Sequence, residues 1–414
     1  MEEKNCFRTK NEQKIVDLFD ICVVIPVQNN EKYLSEIFQG IENQSLLPRE
    51  IMIVDSSSNN KMSYLINEWN GTIPIKYIKI DSAYPGDARN IGVEIAKREW
   101  IAFLDSATVP EHDWLERCVE TAIEKKADFV GGLILFEADT YFKKLLRATT
   151  FGCSPCGTLP GSIIKKEKFE KSGGFISSIR SSEDIEWIER IKTLGVKMDS
   201  VKYPVVKYYG LPGNLWSAIK KYYKFAMATA QTEVLKGQKK LYMSALLMLL
   251  TILTYKWNLY VAGWDKNSIL YIPHITKIYL VSLVVLYVVF KGFLRPWNRK
   301  SKLGIFEKTY LFVLAILVTG LIYKWNLIFA RFNVESVFYV PHITKIYVTS
   351  LLLLSIVFRG IIRPLRRNVE LSFIFPFKWI LIGLIGVTLD IVKAPGYLWG
   401  GILGIMGKTI NKTT

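Results

Sequence analysis

Acids at the ends of apolar runs are the first residues in this chain equipped for chemistry. The run Trp100 to Leu104 closes abruptly in Asp105, and Ile51 to Val54 closes in Asp55. An apolar run of this length bounded by polar residues is the pattern of a buried parallel strand. In an open α/β sheet, ligands bind at the carboxyl ends of such strands. There, Asp105 with the Ser106 hydroxyl beside it could hold a metal bound to phosphates or contact a sugar; the plain alternative is a turn residue capping the next helix. Arg89 lies within the first turn of the helix opened by Tyr84-Pro-Gly-Asp-Ala-Arg-Asn-Ile-Gly92, where Gly86 frees the backbone. Exposed N–H groups and the helix dipole favour an anion at that place, and an arginine adds a bidentate grip on phosphate. A surface arginine on an amphipathic helix is the competing reading. Ser181-Ser-Glu-Asp184 begins another helix with serine at the cap, and Glu183 and Asp184 follow either as favourable N-terminal charges or as paired carboxylates of a cleft.

The elements that must position these groups alternate. After a polar lead over 1–20 come a strand at Ile21 to Val27, a loop at Gln28 to Glu31 and a helix from Tyr33 to Glu42. A strand from Arg49 to Asp55, the turn Ser56 to Asn60, a helix around Met62 to Trp69 and a strand around Ile75 to Ile80 follow. The Arg89 helix runs to about Arg98, then come the Trp100 strand, a helix from Asp113 to Lys125 and a strand from Phe129 to Phe136. This alternation predicts a parallel, doubly wound sheet. Thr149 to Ser162, rich in Gly, Pro, Cys and Thr, reads as a flexible loop.

At 414 residues the chain is long enough for two or three domains. Its charge, 54 Lys plus Arg against 37 Asp plus Glu, would suit nucleic acid, yet many of the surplus cations flank apolar runs after Leu241. Membrane topology accounts for them better, and no basic helix or aromatic-interleaved patch stands apart to bind nucleic acid. Cys153-Ser-Pro-Cys156 has metal or redox spacing but no second pair, so it reads as two reduced thiols. Ile21 to Val27 is too short and too late for a signal-peptide core, which leaves the N-terminal half in the cytosol.

The C-terminal half contains a duplication. Tyr255-Lys-Trp-Asn-Leu259 recurs as Tyr323-Lys-Trp-Asn-Leu327, Pro273-His274 as Pro341-His342, and Arg295-Pro296 as Arg363-Pro364, each offset by 68 positions. Each unit holds two apolar stretches, so spans are expected near 241–260, 272–291, 308–327 and 340–359, with a fifth near 379–400. Their apolar cores fall short of the roughly 20 residues a spanning helix prefers. They reach that length if Lys256, Lys277, Lys324 and Lys345 snorkel and Trp257 and Trp325 sit at the interface; re-entrant or surface helices are the alternative. Clusters at Lys291, Arg295, Arg299, Lys300 and Lys302, and at Arg359, Arg363, Arg366 and Arg367, put those connections on the cytosolic side. The paired histidines read as inherited caps rather than a proton relay. Asp390 and Lys393, one turn apart in the last span, are placed to pair with each other.

Six stretches, taken together, resemble the glycosyltransferase family 2 pattern: Val23-Val-Ile-Pro-Val-Gln-Asn-Asn-Glu-Lys-Tyr-Leu34, Ile53-Val-Asp-Ser-Ser-Ser58, Gly86-Asp-Ala-Arg-Asn-Ile-Gly92, Phe103-Leu-Asp-Ser-Ala-Thr-Val-Pro110, Gly173-Gly-Phe175 and Ser182-Glu-Asp184. The resemblance covers about residues 20–210 and implies a GT-A fold, a Rossmann-like, mostly parallel nucleotide-sugar domain, here followed by an all-α transmembrane region. It implies that Pro26, Val27 and Gln28 wall the nucleotide base and that Asp55 hydrogen-bonds it. Gly86, Arg89 and Asn90 match the diphosphate side, Asp105 and Ser106 the DxD motif with Asp105 as the metal ligand, and Asp184, beside Glu183, the general base of inverting members. Two positions depart from the pattern. Gln28 replaces the usual aromatic that flanks the base, and Ala107 stands where the last acid of DxD would bind a divalent ion. The ion, Mn²⁺ or Mg²⁺, is then held by Asp105 and the diphosphate with more water, or Arg89 and backbone dipoles take over, or catalysis is lost.

The expected organisation is a lead (1–20), a GT-A domain (21–210), an amphipathic basic linker helix (211–240), two membrane repeat units (241–308 and 309–376) and a last span with its tail (377–414). The expected protein is integral to the membrane with its catalytic domain cytoplasmic. It moves a sugar from a nucleotide-diphosphate donor to a lipid-linked or polysaccharide acceptor with inversion. The alternatives are transfer to a polyprenyl phosphate and a non-catalytic nucleotide-sugar-binding membrane protein.

Overall fold

The structure, a computed structural model, describes residues 19–235 and 352–410, with isolated positions between them. The spans expected near 241–260, 272–291 and 308–327, most of that near 340–359, and both histidines of the repeat lie outside the described residues. The chain divides into two compact units: Met1–Arg147 with Cys153–Asn214 and Gln231–Val234, and Ala148–Gly152 with Leu215–Ala230 and Leu235–Thr414.

The first unit is built on a mixed sheet of nine strands, counted among the described residues: β1 (Ile21–Val27), β2 (Glu50–Asp55), β3 (Ile75–Lys79), β4 (Trp100–Phe103), β5 (Thr108–Pro110), β6 (Phe129–Phe136), β7 (Cys156–Lys165), β8 (Met198–Ser200) and β9 (Val206–Tyr208). They lie in the order β3-β2-β1-β4-β7-β6-β9-β5, with β8 beside β6. The first four pair in parallel, Val27 opposite Asp55 and Ile21 opposite Trp100. Strands β2 and β4 are buried throughout, as continuous apolar runs covered on both faces must be. Helices α1 (Leu34–Glu42), α2 (Lys61–Asn67), α3 (Pro85–Ile95), α4 (Trp114–Lys125), α5 (Tyr141–Thr150), α6 (Lys166–Lys171) and α7 (Glu183–Thr193) connect the strands. Helix α1 buries Leu34, Ile37, Phe38 and Ile41, the spacing of one helical face.

Two expectations about this unit are corrected. The stretch read as a flexible loop holds most of β7, which lies between β4 and β6 and runs antiparallel to both. The sheet is therefore mixed rather than purely parallel. Gly157, Pro160 and Gly161 hide this strand, because such residues ordinarily punctuate one. Here they serve a close approach: the register shifts between Val130 and Gly132, and a Cβ on Gly132 would lie 2.4 Å from the Gly161 carbonyl carbon. Gly161 has φ +85°, and a Cβ there would meet a Val206 methyl at 2.7 Å. Gly161→Ala is thus expected to destabilise the chain by at least about 1–2 kcal/mol, the usual cost of a left-handed L-residue. A melting curve indistinguishable from that of the parent would refute it. The second correction concerns α7, whose Ser182 occupies the N-cap position at φ +72° and makes no side-chain cap.

An aromatic cluster joins the end of β4 to α7. Phe103 packs edge-on against Phe175 and Trp187 at centroid distances of 5.7 and 6.2 Å, and Phe175 meets Trp187 at 4.9 Å. Offset and edge-to-face rings favour such geometry. They fix the start of α7 against the carboxyl end of β4.

In the second unit, α8 (Leu215–Ala230) packs along α9 (Lys378–Ile410), so the helix expected to be a linker is a packed element of this unit. A Cβ on Gly396 would lie 2.8 Å from the Tyr223 carbonyl oxygen and one on Gly400 2.0 Å from that of Met227. The small residues thus permit backbone-to-backbone packing. Asp390 lies 3.8 Å from Lys393, but its principal partner is Arg359, which grips both carboxylate oxygens, while the Tyr242 hydroxyl donates at 2.9 Å. Among the described residues one helix, Lys378–Gly404, is long and apolar enough to cross a membrane. Exposed Leu381, Leu384, Ile391, Leu398 and Trp399 line its outer side.

Candidate active site

The site lies where β1, β2 and β4 end. Arg89, in the first turns of α3, is 4% exposed, and its guanidinium bridges Asp105 at 2.5 Å and Glu183 at 3.0 Å. Gly86 makes this possible, since a Cβ there would press on the Glu183 side chain at 3.0 Å and on Phe175 at 3.1 Å. The bridge draws the carboxyl end of β4 and the amino end of α7 together. It also occupies the arginine expected to grip phosphate. Asn90 has an equally structural engagement: its amide donates to the Phe175 carbonyl and accepts from the Phe175 N–H, both at 2.9 Å.

Asp105 caps no helix. Its backbone N–H donates to the Thr108 hydroxyl, which donates in turn to the Asp105 carbonyl, closing the turn before β5. The Asp105 carboxylate, on a side chain 32% exposed, faces Arg89 on one side and solvent on the other. Glu183 is buried, and one of its oxygens has no partner. Burial pushes its pKa up, Arg89 pulls it down, and neighbouring Asp184 pushes it up again, for a net rise. Asp184 is half-buried, accepts the Ile185 N–H at 2.8 Å, and is also raised, by burial first and by Asp105, against the pull of Arg89. With its acids ionised, the cluster of three carboxylates around one guanidinium is formally net negative.

At the end of β2, Asp55 is fully buried. One oxygen accepts the Ser57 N–H at 2.8 Å, and the other accepts the Tyr77 hydroxyl and the Lys79 ammonium, both at 2.9 Å. Burial opposes ionisation, yet the bonds from Ser57, Lys79 and Tyr77 outweigh it and hold Asp55 below the ordinary carboxylate value. Burial and Asp55 push Tyr77 up to about 12. Lys79 donates further to the carbonyls of Ser57 and Asn59.

The loop after β1 ties the two ends together. The Asn29 N–H donates to the Ser57 hydroxyl at 2.7 Å, and the Asn30 amide donates to the Ser106 hydroxyl and carbonyl at 3.0 and 3.2 Å. Pro26 and Val27, paired with Val54 and Asp55, lead into it. Gln28 reaches the Ala83 carbonyl and accepts a hydrogen bond at 2.8 Å from Arg180. Tyr77, Lys79, Asn30 and Arg180 were not singled out from sequence. Tyr77 and Lys79 carried a signal, being two apart on one strand and so on the same face as each other; Arg180 carried none.

Among the described residues no group of three or more His, Cys, Asp or Glu side chains is arranged to hold a metal. Asp105 is engaged by an arginine, and Ala107, buried, offers no ligand. The residues present do not make up a divalent-ion site. A cavity of about 530 Å³, touched by Phe19, Trp100, Asp128, Lys165 and Lys197, lies at the amino end of β4, away from these acids.

The fold and site define a Rossmann-type α/β domain of the GT-A class, with acids at the rim of its sheet. Residues 22–181 match the family described as Glycosyl transferase family 2. Similar proteins include the glycosyltransferase AglE of Haloferax volcanii, 24% identical over 192 residues, 43% of this chain and 63% of that protein. Another is the poly(ribitol-phosphate) beta-N-acetylglucosaminyltransferase TarP of Staphylococcus aureus, 24% identical over 217 residues, 47% of this chain and 65% of its own. The match thus spans less than two thirds of either relative. A crystal structure of S. aureus TarS in complex with UDP-GlcNAc aligns over 70% of this chain and 78% of its own at 17% identity, with a TM-score of 0.38.

Proposed function

We propose that this protein is a membrane-attached, inverting glycosyltransferase. It transfers a sugar from a nucleotide-diphosphate donor to a lipid-linked or polysaccharide acceptor at the cytosolic face, through a domain followed by several spans. The observation that carries the reading is the Arg89 bridge, which ties Glu183 at the start of α7 to Asp105 at the carboxyl end of β4 and leaves Asp184, whose charge feels Asp105, outside both ion pairs. In this reading Asp184 takes the proton of the acceptor hydroxyl as its oxygen attacks the anomeric carbon. The bond to the nucleoside diphosphate breaks on the opposite face, so one displacement inverts the centre. Glu183 positions Arg89, and Asp55 with the Pro26–Gln28 loop faces the nucleotide base. The names of AglE and TarP support a sugar-transfer role, and that of TarP a polymeric acceptor. The apolar helix Lys378–Gly404 supports membrane attachment. Membranes holding the protein, incubated with labelled nucleotide sugars, are expected to release nucleoside diphosphate; binding without release from any donor would sink the transferase reading.

A base must be deprotonated to act, and Asp184 is raised by its surroundings. On acidification kcat/KM is therefore expected to fall at a pH above the ordinary aspartate value of about 3.9. An acid limb at or below that value would count against Asp184 as the base.

A further inference from the structure

We propose that Arg180, rather than a divalent ion or Arg89, supplies the positive charge that meets the donor's diphosphate. The inference rests on the nucleotide-sugar reading above. A leaving nucleoside diphosphate gains negative charge as the glycosidic bond breaks, and a site that speeds this must present a cation there. The cluster of Asp105, Glu183, Asp184 and Arg89 is itself formally net negative, so an anionic ligand needs a charge from elsewhere. The cations already named are engaged. Arg89 is buried between Asp105 and Glu183, and Lys79 donates to Asp55, Ser57 and Asn59. The acids do not assemble a metal site, and Ala107 removes the ligand that would complete one.

Arg180 differs from both. It is exposed, in the turn between Phe175 and α7, and its guanidinium reaches across the rim to the Gln28 side-chain oxygen at 2.8 Å. The first half of the turn is anchored to α3: the Ser178 N–H donates to Asp87 at 3.2 Å, and Asn90 clamps the Phe175 backbone. Two left-handed residues, Ser178 at φ +63° and Ser182 at φ +72°, shape it. The arginine thus stands between the loop facing the base and the acids at the start of α7, where the diphosphate of a bound donor would run. Its partner there is a neutral amide oxygen, and a phosphate offers a stronger, charge-assisted and bidentate bond in exchange. Because Arg180 lies only a few residues before Glu183 and Asp184, one segment carries both the cation for the leaving group and the base for the acceptor.

The test is equilibrium binding of UDP, GDP and ADP to the full-length chain in lipid nanodiscs, with and without EDTA. The parent, Arg180→Gln, Arg180→Lys and Lys97→Gln, an exposed control at the amino end of β4, are compared, each checked for an unchanged melting temperature. For the diphosphate that binds the parent, Arg180→Gln is expected to weaken binding at least about tenfold, as loss of a hydrogen bond to a charged group does. Arg180→Lys should retain part of the affinity, and EDTA should leave the parent within twofold. Parent-like binding by Arg180→Gln, or loss of binding with EDTA alone, overturns the assignment while leaving the nucleotide-sugar reading intact. Failure of the parent to bind any of the three overturns both.

Discussion

Asp184→Asn is expected to lower turnover by at least about a hundredfold while leaving donor affinity unchanged, since a positioned general base contributes roughly 10²–10⁴. The substitution is nearly isosteric. Asparagine keeps an oxygen to accept the Ile185 N–H, so the start of α7 should hold its geometry. What disappears is the basic lone pair. Asp184 also lies outside the ion bridge, which Glu183 and Asp105 complete with Arg89, so its loss should not loosen the rim. Steady-state turnover with equilibrium donor binding separates the two effects. Near-normal turnover would remove Asp184 from the chemistry and favour a polyprenyl phosphate as acceptor, whose oxygen is ionised without help.

Arg89→Gln is expected to act on the fold, costing about 3–5 kcal/mol, the range found when one partner of a buried ion pair is removed. The reason is what remains: Glu183 would stay buried with Asp184 beside it, its ionisation already opposed by burial and no longer helped by the guanidinium. A protein of marginal stability registers such a loss as a large drop in melting temperature. Adding Glu183→Gln to Arg89→Gln removes the stranded charge and should recover at least about 1 kcal/mol, within the usual coupling of contacting residues. Simple additivity of the two substitutions would show that the bridge does not couple α3 to α7.

The sequence and the structure divide along a physical line. Apart from the three-residue β5, the order of strands and helices from Ile21 to Phe136, and the acids ending β2 and β4, were legible from the chain because hydrophobic periodicity and turn residues act over a few positions. The strand Cys156–Lys165 was not, because its Gly and Pro residues answer to a close contact with Gly132 rather than to local propensity. The site divides in the same way. Residue types and motif order put Asp55, Arg89, Asp105, Glu183 and Asp184 among the candidates, but their partners were a matter of folding. Arg89 meets Asp105 across 16 positions and Glu183 across 94, and Asp55 closes on Lys79 across 24. Local sequence determines which element each residue joins, whereas charge pairing is settled by which elements pack together, so only the tertiary structure turned a phosphate-gripping arginine into a buried strut and left Arg180 facing the rim.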